Sequence, residues 1–150
     1  MGKKVKLEEL LPTIEEVLAS DGTATFTPNG NSMHPMLKSG RDTVTLKKVT
    51  TPLKKYDLPL YRLKNGKFIL HRVIGKNKNG YIMRGDNLLS KEYGITDDMI
   101  IGVVVSFNRN GKNYSANSFC YKIYCMIRNN EITVALRKIK LKLKRKSNNI

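Results

Sequence analysis

Leu7, Leu10, Leu11, Ile14, Val17 and Leu18 recur at helical spacing, with Glu8, Glu9, Glu15 and Glu16 on the other face. The pattern predicts one amphipathic helix, ended by Asp21-Gly22 and packed on the edge of the domain. Pro12 falls inside the stretch, so the helix either starts near it or bends there. From Thr23 the period changes. Thr23–Thr27 alternates and is rich in β-branched residues, and Thr43–Val49 is a second strand candidate. Asn65-Gly66, Asn79-Gly80 and Asn110-Gly111 are dipeptides that favour type I′ hairpin turns. The first two imply a meander of Leu58–Leu63, Lys67–Ile74 and Gly80–Arg84, and the third joins Ile100–Asn108 to Lys112–Ser115. Within the middle strand, alternation puts Phe68, Leu70, Arg72 and Ile74 on one face and Ile69, His71 and Val73 on the other.

The last third changes character. Phe119–Ile127 is aromatic and apolar, and Ile132, Ala135, Leu136, Ile139 and Leu143 follow helical spacing. Residues 147–150 are expected to fray. The pattern therefore predicts a mainly β, antiparallel fold with an amphipathic helix at the N-terminus and a basic amphipathic helix at the C-terminus. Its parts are an N-terminal helix over 1–22, a core over 23–118 and a tail over 119–150, all in one domain.

A chain of 150 residues is long enough to bury one sizeable core, and 40% hydrophobic with 27% charged residues suits a globular protein. No run approaches the roughly 18 apolar residues of a membrane span. The glutamates within Leu7–Ser20 interrupt the apolar stretch an export signal needs, which predicts a cytoplasmic protein. Charge alters this picture more than length does. The net charge is +16, and seven of the ten residues from Arg137 to Lys146 are basic, which implies an anionic partner. Cys120 and Cys125 have neither zinc-site nor redox-motif spacing and read as free thiols, so no metal or cofactor is implied.

The candidate chemistry centres on Gly30-Asn31-Ser32-Met33-His34-Pro35-Met36, a serine in a short turn closed by proline. A serine hydroxyl is a weak nucleophile until a base within hydrogen-bond reach takes its proton. His34 shares the serine's own turn and is poorly placed for that. His71 comes from a separate strand, and a carboxylate would orient its ring and stabilise its charged form. Read alone, the serine is an ordinary turn residue and the histidine an ordinary core residue.

The order of three boxes favours catalysis. Ser32-Met33-His34-Pro35 resembles the Ser-Met-x-Pro box of the signal peptidase I and LexA-like peptidase clan. His71-Arg72-Val73-Ile74 is similar to the His-Arg-Val-Ile box of archaeal and endoplasmic-reticulum-type signal peptidases. Gly85-Asp86-Asn87 matches their Gly-Asp-Asn box, and Asp98 to Gly102 resembles their closing segment. The resemblance runs from about Phe26 to Val105. It implies a β-rich fold in which Ser32 attacks the carbonyl of an extended peptide, with His71 as the base where many relatives use lysine. A histidine, with an unperturbed pKa of roughly 6.5, needs no large shift to work near neutrality. The acid of the endoplasmic-reticulum enzymes falls six residues after the Gly-Asp-Asn aspartate, at Glu92, so the third member is either Glu92 or Asp86. Asp86 could instead hold its loop together through Arg84 or Arg72, and Asp97 and Asp98 are placed to begin the last strand. Many bacterial members carry an oxyanion-donating serine two residues before the nucleophile, where this chain has Gly30. The Ser32 backbone N–H then does more, helped by the Asn31 side chain. Met36 stands where many members have threonine.

The expected activity is that of a serine endopeptidase cleaving a leader or precursor peptide. An inert peptide-binding module of the same fold and a peripheral membrane adaptor are the alternatives. The family's membrane anchor is not seen, which argues against ordinary export-linked cleavage. For the tail over 131–146, a solvated helix closing the core competes with one lying on an anionic membrane, where each Lys or Arg contributes roughly 1 kcal/mol. Nucleic acid is disfavoured as a partner, because the tail has no base-stacking aromatics and no DNA-binding motif is present.

Overall fold

The computed structural model describes residues 7–147. The basic N-terminal residues and 148–150, most of the segment expected to fray, lie outside the described residues. In chain order the elements begin with helix α1 (Leu7–Ala19) and strands β1 (Thr23–Phe26), β2 (Thr43–Lys47), β3 (Pro59–Arg62) and β4 (Phe68–Leu70). Strands β5 (Arg72–Asn77), β6 (Gly80–Arg84) and β7 (Glu92–Ile95) follow. A short 3-10 turn, Asp97–Met99, leads into β8 (Ile100–Arg109), β9 (Lys112–Ser115), and helices α2 (Phe119–Asn129) and α3 (Glu131–Ser147). Every strand pairing is antiparallel, as expected. Strand and helix contribute comparable shares, 32% and 30%, so the mainly β expectation fits roughly, in a mixed fold with more helix than expected. The difference comes from the C-terminus, which forms two helices broken at Asn130 where one was expected.

α1 buries Leu11, Ile14 and Leu18 and leaves Glu9, Glu15 and Glu16 exposed. It runs through Pro12. The proline forfeits one helical hydrogen bond at a cost of about 3 kcal/mol. Burial of three large aliphatic side chains, about 1.5–3 kcal/mol each, offsets that.

The strands divide between two sheets. One runs β1-β2-β8-β3-β4, with β9 also paired to β8, and the other runs β5-β6-β7. The expected middle strand over Lys67–Ile74 is thus two strands, broken at His71, one in each sheet. Alternation fails there for that reason. Leu70, His71, Arg72 and Val73 are all buried, because the chain passes between sheets and is covered on every side. Leu70 belongs to a hydrophobic cluster with Ile14, Val44, Leu46, Leu60, Val104 and Phe107. Val73 belongs to another, with Leu53, Tyr61, Tyr81, Met83 and Ile95. His71 and Arg72 are the residues between them in the chain.

Of the three Asn-Gly dipeptides, only Asn110-Gly111 has positive φ at both residues (51° and 81°), as a type I′ turn requires. At Asn65-Gly66 only the glycine is left-handed, and Gly66 N–H donates to Leu63 O at 2.9 Å while Leu63 N–H donates to Lys67 O. That is the longer hairpin, a turn closed by a left-handed glycine. At Asn79-Gly80 the glycine starts β6, paired with Asn77, and a β-carbon on it would stand 2.5 Å from Ile95 O in β7.

Candidate active site

The Ser32 turn is shaped by its glycine. Gly30 has φ +95°, a conformation L side chains rarely adopt, so a serine at that position would be strained. Its N–H donates to Ser39 Oγ at 2.9 Å. A hydroxyl therefore stands near position 30 after all, supplied from further along the chain. Behind the turn, Met33, Met36 and Leu37 are buried in the first hydrophobic cluster and fix its position, while Ser32 stays partly exposed.

The Gly85-Asp86-Asn87 loop grips this turn. Asn87 N–H donates to Ser32 O at 2.8 Å, and Asn87 Nδ2 donates to Asn31 O at 3.2 Å. Gly85 is where the Ser32 turn and the His71 imidazole converge. A β-carbon there would lie 2.7 Å from Ser32 O and 3.0 Å from His71 Nε2. Only glycine leaves both neighbours where they are. Ser32 and His71 also line one cleft of about 230 Å³, walled by Gly30, Ser39, Phe68 and Leu70. Among the described residues, Ser32 Oγ makes no hydrogen bond and the Ser32 N–H has no acceptor. Neither group is engaged by another part of the described chain. A larger hollow of about 590 Å³, lined by Glu15, Lys48, Arg62, Asp97 and Asp98, contains no serine or histidine and carries no nucleophile–base pair.

On the far side of the ring, His71 Nδ1 lies 3.4 Å from Glu92 Oε2 and 3.4 Å from the Tyr61 hydroxyl. The Tyr61 hydroxyl itself donates to Glu92 Oε2. Tyr61 is fully buried, and burial first, then its contact with Glu92, raise its pKa, so it stays protonated and a donor. The His71–Glu92 contact has the distance of an ion pair, but the ring is 4% exposed and its burial favours the neutral form. Burial lowers the His71 pKa and outweighs the Glu92 carboxylate, which raises it. In the tautomer that turns Nδ1–H toward Glu92, Nε2 is the acceptor, and it is this nitrogen that borders Gly85 beside Ser32 O.

Asp86 faces elsewhere. Its side chain is fully buried and accepts from Arg72 Nε and Nη2, both at 2.8 Å, from Tyr124 at 3.0 Å and from Asn129 Nδ2 at 3.4 Å. Burial pushes this carboxyl up, but the Arg72 charge and these hydrogen bonds hold it below the usual carboxylate range. Its backbone carbonyl accepts from Arg128 Nε at 2.9 Å and Arg137 Nη1 at 2.5 Å. Of the two candidate acids, Glu92 reaches the imidazole and Asp86 ties the loop to α2 and α3.

The remaining positions sort by contact. Asn31 is exposed and is not among the cleft-lining residues, whereas Asn29 is. His34 is exposed, with its N–H bonded to Asn31 O. Met36 is buried, its sulfur 3.0 Å from Arg72 Nη2 and 3.6 Å from the Tyr121 hydroxyl, so a buried guanidinium and phenol occupy its surroundings. Asp97 accepts from Tyr81 and, with Asp98, opens the turn into β8. Sequence reasoning missed Tyr61 and Ser39. Nothing local marks Ser39. Tyr61 sits beside Leu60 in β3, and both are buried because that strand is covered on both faces. No protein-family model matches this chain, and no curated protein matches it.

Proposed function

We propose that this chain is a serine endopeptidase of signal-peptidase-like type, with an antiparallel β core related to that clan. It acts on an extended leader or precursor peptide. The observation that carries the reading is the convergence at Gly85. The Ser32 turn and His71 Nε2 meet there, while Glu92 and Tyr61 engage the opposite ring nitrogen. In the proposed cycle His71 Nε2 takes the Ser32 proton as Oγ attacks the scissile carbonyl. The resulting oxyanion is met by the Ser32 N–H. His71 then hands its proton to the leaving amine, which leaves an acyl-serine. Water, deprotonated by the same nitrogen, attacks that ester and frees Ser32 with its proton restored. Glu92 orients the ring and stabilises its transient charge.

A fluorophosphonate probe tests the nucleophile directly. Wild type is expected to be labelled at Ser32, with labelling abolished in Ser32→Ala and slowed at least about a hundred-fold in His71→Ala. The Ser32 hydroxyl without a hydrogen bond to His71 also suits a module that holds peptides in the cleft without cutting them. Peptide binding with no labelling of Ser32 would select that second reading.

A further inference from the structure

We propose that α3 docks the protein on an anionic lipid surface, lying in the plane of the interface. The body-facing side of the helix is defined by its contacts. Val134 is buried, Arg137 donates to Asp86 O, and Glu131 accepts from Lys91 at 3.0 Å and lies 3.7 Å from Arg84 Nη1. Ile132, Leu136, Ile139 and Leu143 are 71%, 61%, 54% and 63% exposed, so the apolar stripe the sequence predicts is not what closes the core. At 3.6 residues per turn these four positions fall within an arc of about 60°, roughly opposite Val134 and Arg137. Lys140 and Lys142 border the arc on its two edges, and Lys138, Lys144 and Arg145 lie beyond them.

That arrangement specifies its occupant. An apolar stripe edged by lysines needs a partner that is negative at its surface and apolar just beneath, with lysine stems reaching up to the charge. A second copy of the chain fits the 4-3-4 spacing of the stripe as a helix seam. It would, however, bring Lys140 and Lys142 against like charges, and no acidic residue follows Glu131 in the helix to pair with them. Nucleic acid would satisfy the lysines and leave the stripe in water. Among the described residues no helix is long and apolar enough to cross a membrane, so the helix rests on the surface rather than spanning it. Helix α2 presents further apolar surface at Phe119, Met126 and Ile127, each more than half exposed.

The test is co-sedimentation of the full chain with phosphatidylcholine vesicles, with and without phosphatidylserine. Binding is expected only with phosphatidylserine, weakening as salt is raised. Replacing Lys138, Lys140, Lys142 and Lys144 together with glutamine is expected to reduce partitioning by roughly several hundred-fold, taking about five-fold per charge. Ile132→Ser with Leu136→Ser and Ile139→Ser is expected to weaken it as clearly, with helix content by circular dichroism unchanged because all three side chains are exposed. Vesicle binding that survives the serine substitutions would contradict the lodging of the stripe in lipid. Absence of vesicle binding, with a concentration-dependent dimer broken by Leu136→Lys, would assign the face to a second copy instead. Lysine-dependent binding to duplex DNA but not to vesicles would assign it to nucleic acid.

Discussion

His71 sets the pH behaviour of the proposed site. Burial holds its folded pKa below the unfolded value of roughly 6.5, so the unfolded chain binds this proton first as pH falls. Two consequences follow from one sign. The base works in its neutral form, so kcat/KM is expected to rise with pH through the lowered pKa and to be level above about 6.5. The stability associated with this group is fully present above about 6.5 and declines with acid until the folded pKa is passed. Glu92 raises the His71 pKa, so Glu92→Gln is expected to move the acid limb to lower pH while slowing turnover about a hundred-fold. Tyr61→Phe removes the hydroxyl that shares Glu92 with the ring, so it is expected to move the limb to higher pH with the fold retained. A pH–rate profile of each variant distinguishes the two signs. Gly85→Ala places a carbon 2.7 Å from Ser32 O, and crowding of that kind costs about 1–3 kcal/mol. Ser32 and His71 stand out in the sequence because their neighbours resemble known boxes, and the structure brings both to one cleft. Tyr61 was not, because its role depends on which strand lies beside β3.

At the scale of elements, the unit that organises the site is the Gly85-Asp86-Asn87 loop after β6. Asn87 holds the Ser32 turn, Gly85 admits the imidazole, and Asp86 anchors the loop to β5 through Arg72 and to the terminal helices through Tyr124, Asn129, Arg128 and Arg137. Asp86→Ala would leave the buried Arg72 guanidinium without its counter-charge, and breaking such a pair costs about 3–5 kcal/mol. Urea denaturation of Asp86→Ala should show that loss. Glu92→Ala, at a partly exposed position, is expected to lose far less stability while losing more activity. The sequence could not choose between these carboxylates, since spacing along a chain does not say which one a buried arginine claims. Alternation misread Lys67–Ile74 for a related reason. It assumes one sheet, and this segment crosses from one sheet to another at His71.

At the scale of the whole molecule, the chain passes from one hydrophobic cluster at Leu70 to the other at Val73, with α1 closing the first and α2 adding Tyr121 and Cys125 to it. The N-terminal helix, the antiparallel pairing and the β8–β9 hairpin were readable from periodicity and turn residues, which are local signals. The division into two sheets and the break at Asn130 depend on long-range packing and were not. Acid should destabilise the assembly through its buried carboxylates. Arg41 holds Asp42 down to about 2, and Arg72 holds Asp86 below the usual range. Their contribution is present above about pH 4 and is lost as pH falls through the lowered values, so the urea midpoint is expected to drop steeply below about pH 4. The most direct test of the central claim is a peptide-library digest read by mass spectrometry, run on wild type and Ser32→Ala side by side. Cleavage by wild type that disappears in Ser32→Ala is the predicted result, and the cut sites would report the specificity of the cleft. Cleavage that continues undiminished in Ser32→Ala would contradict Ser32 as the nucleophile, and with it the assignment of this site.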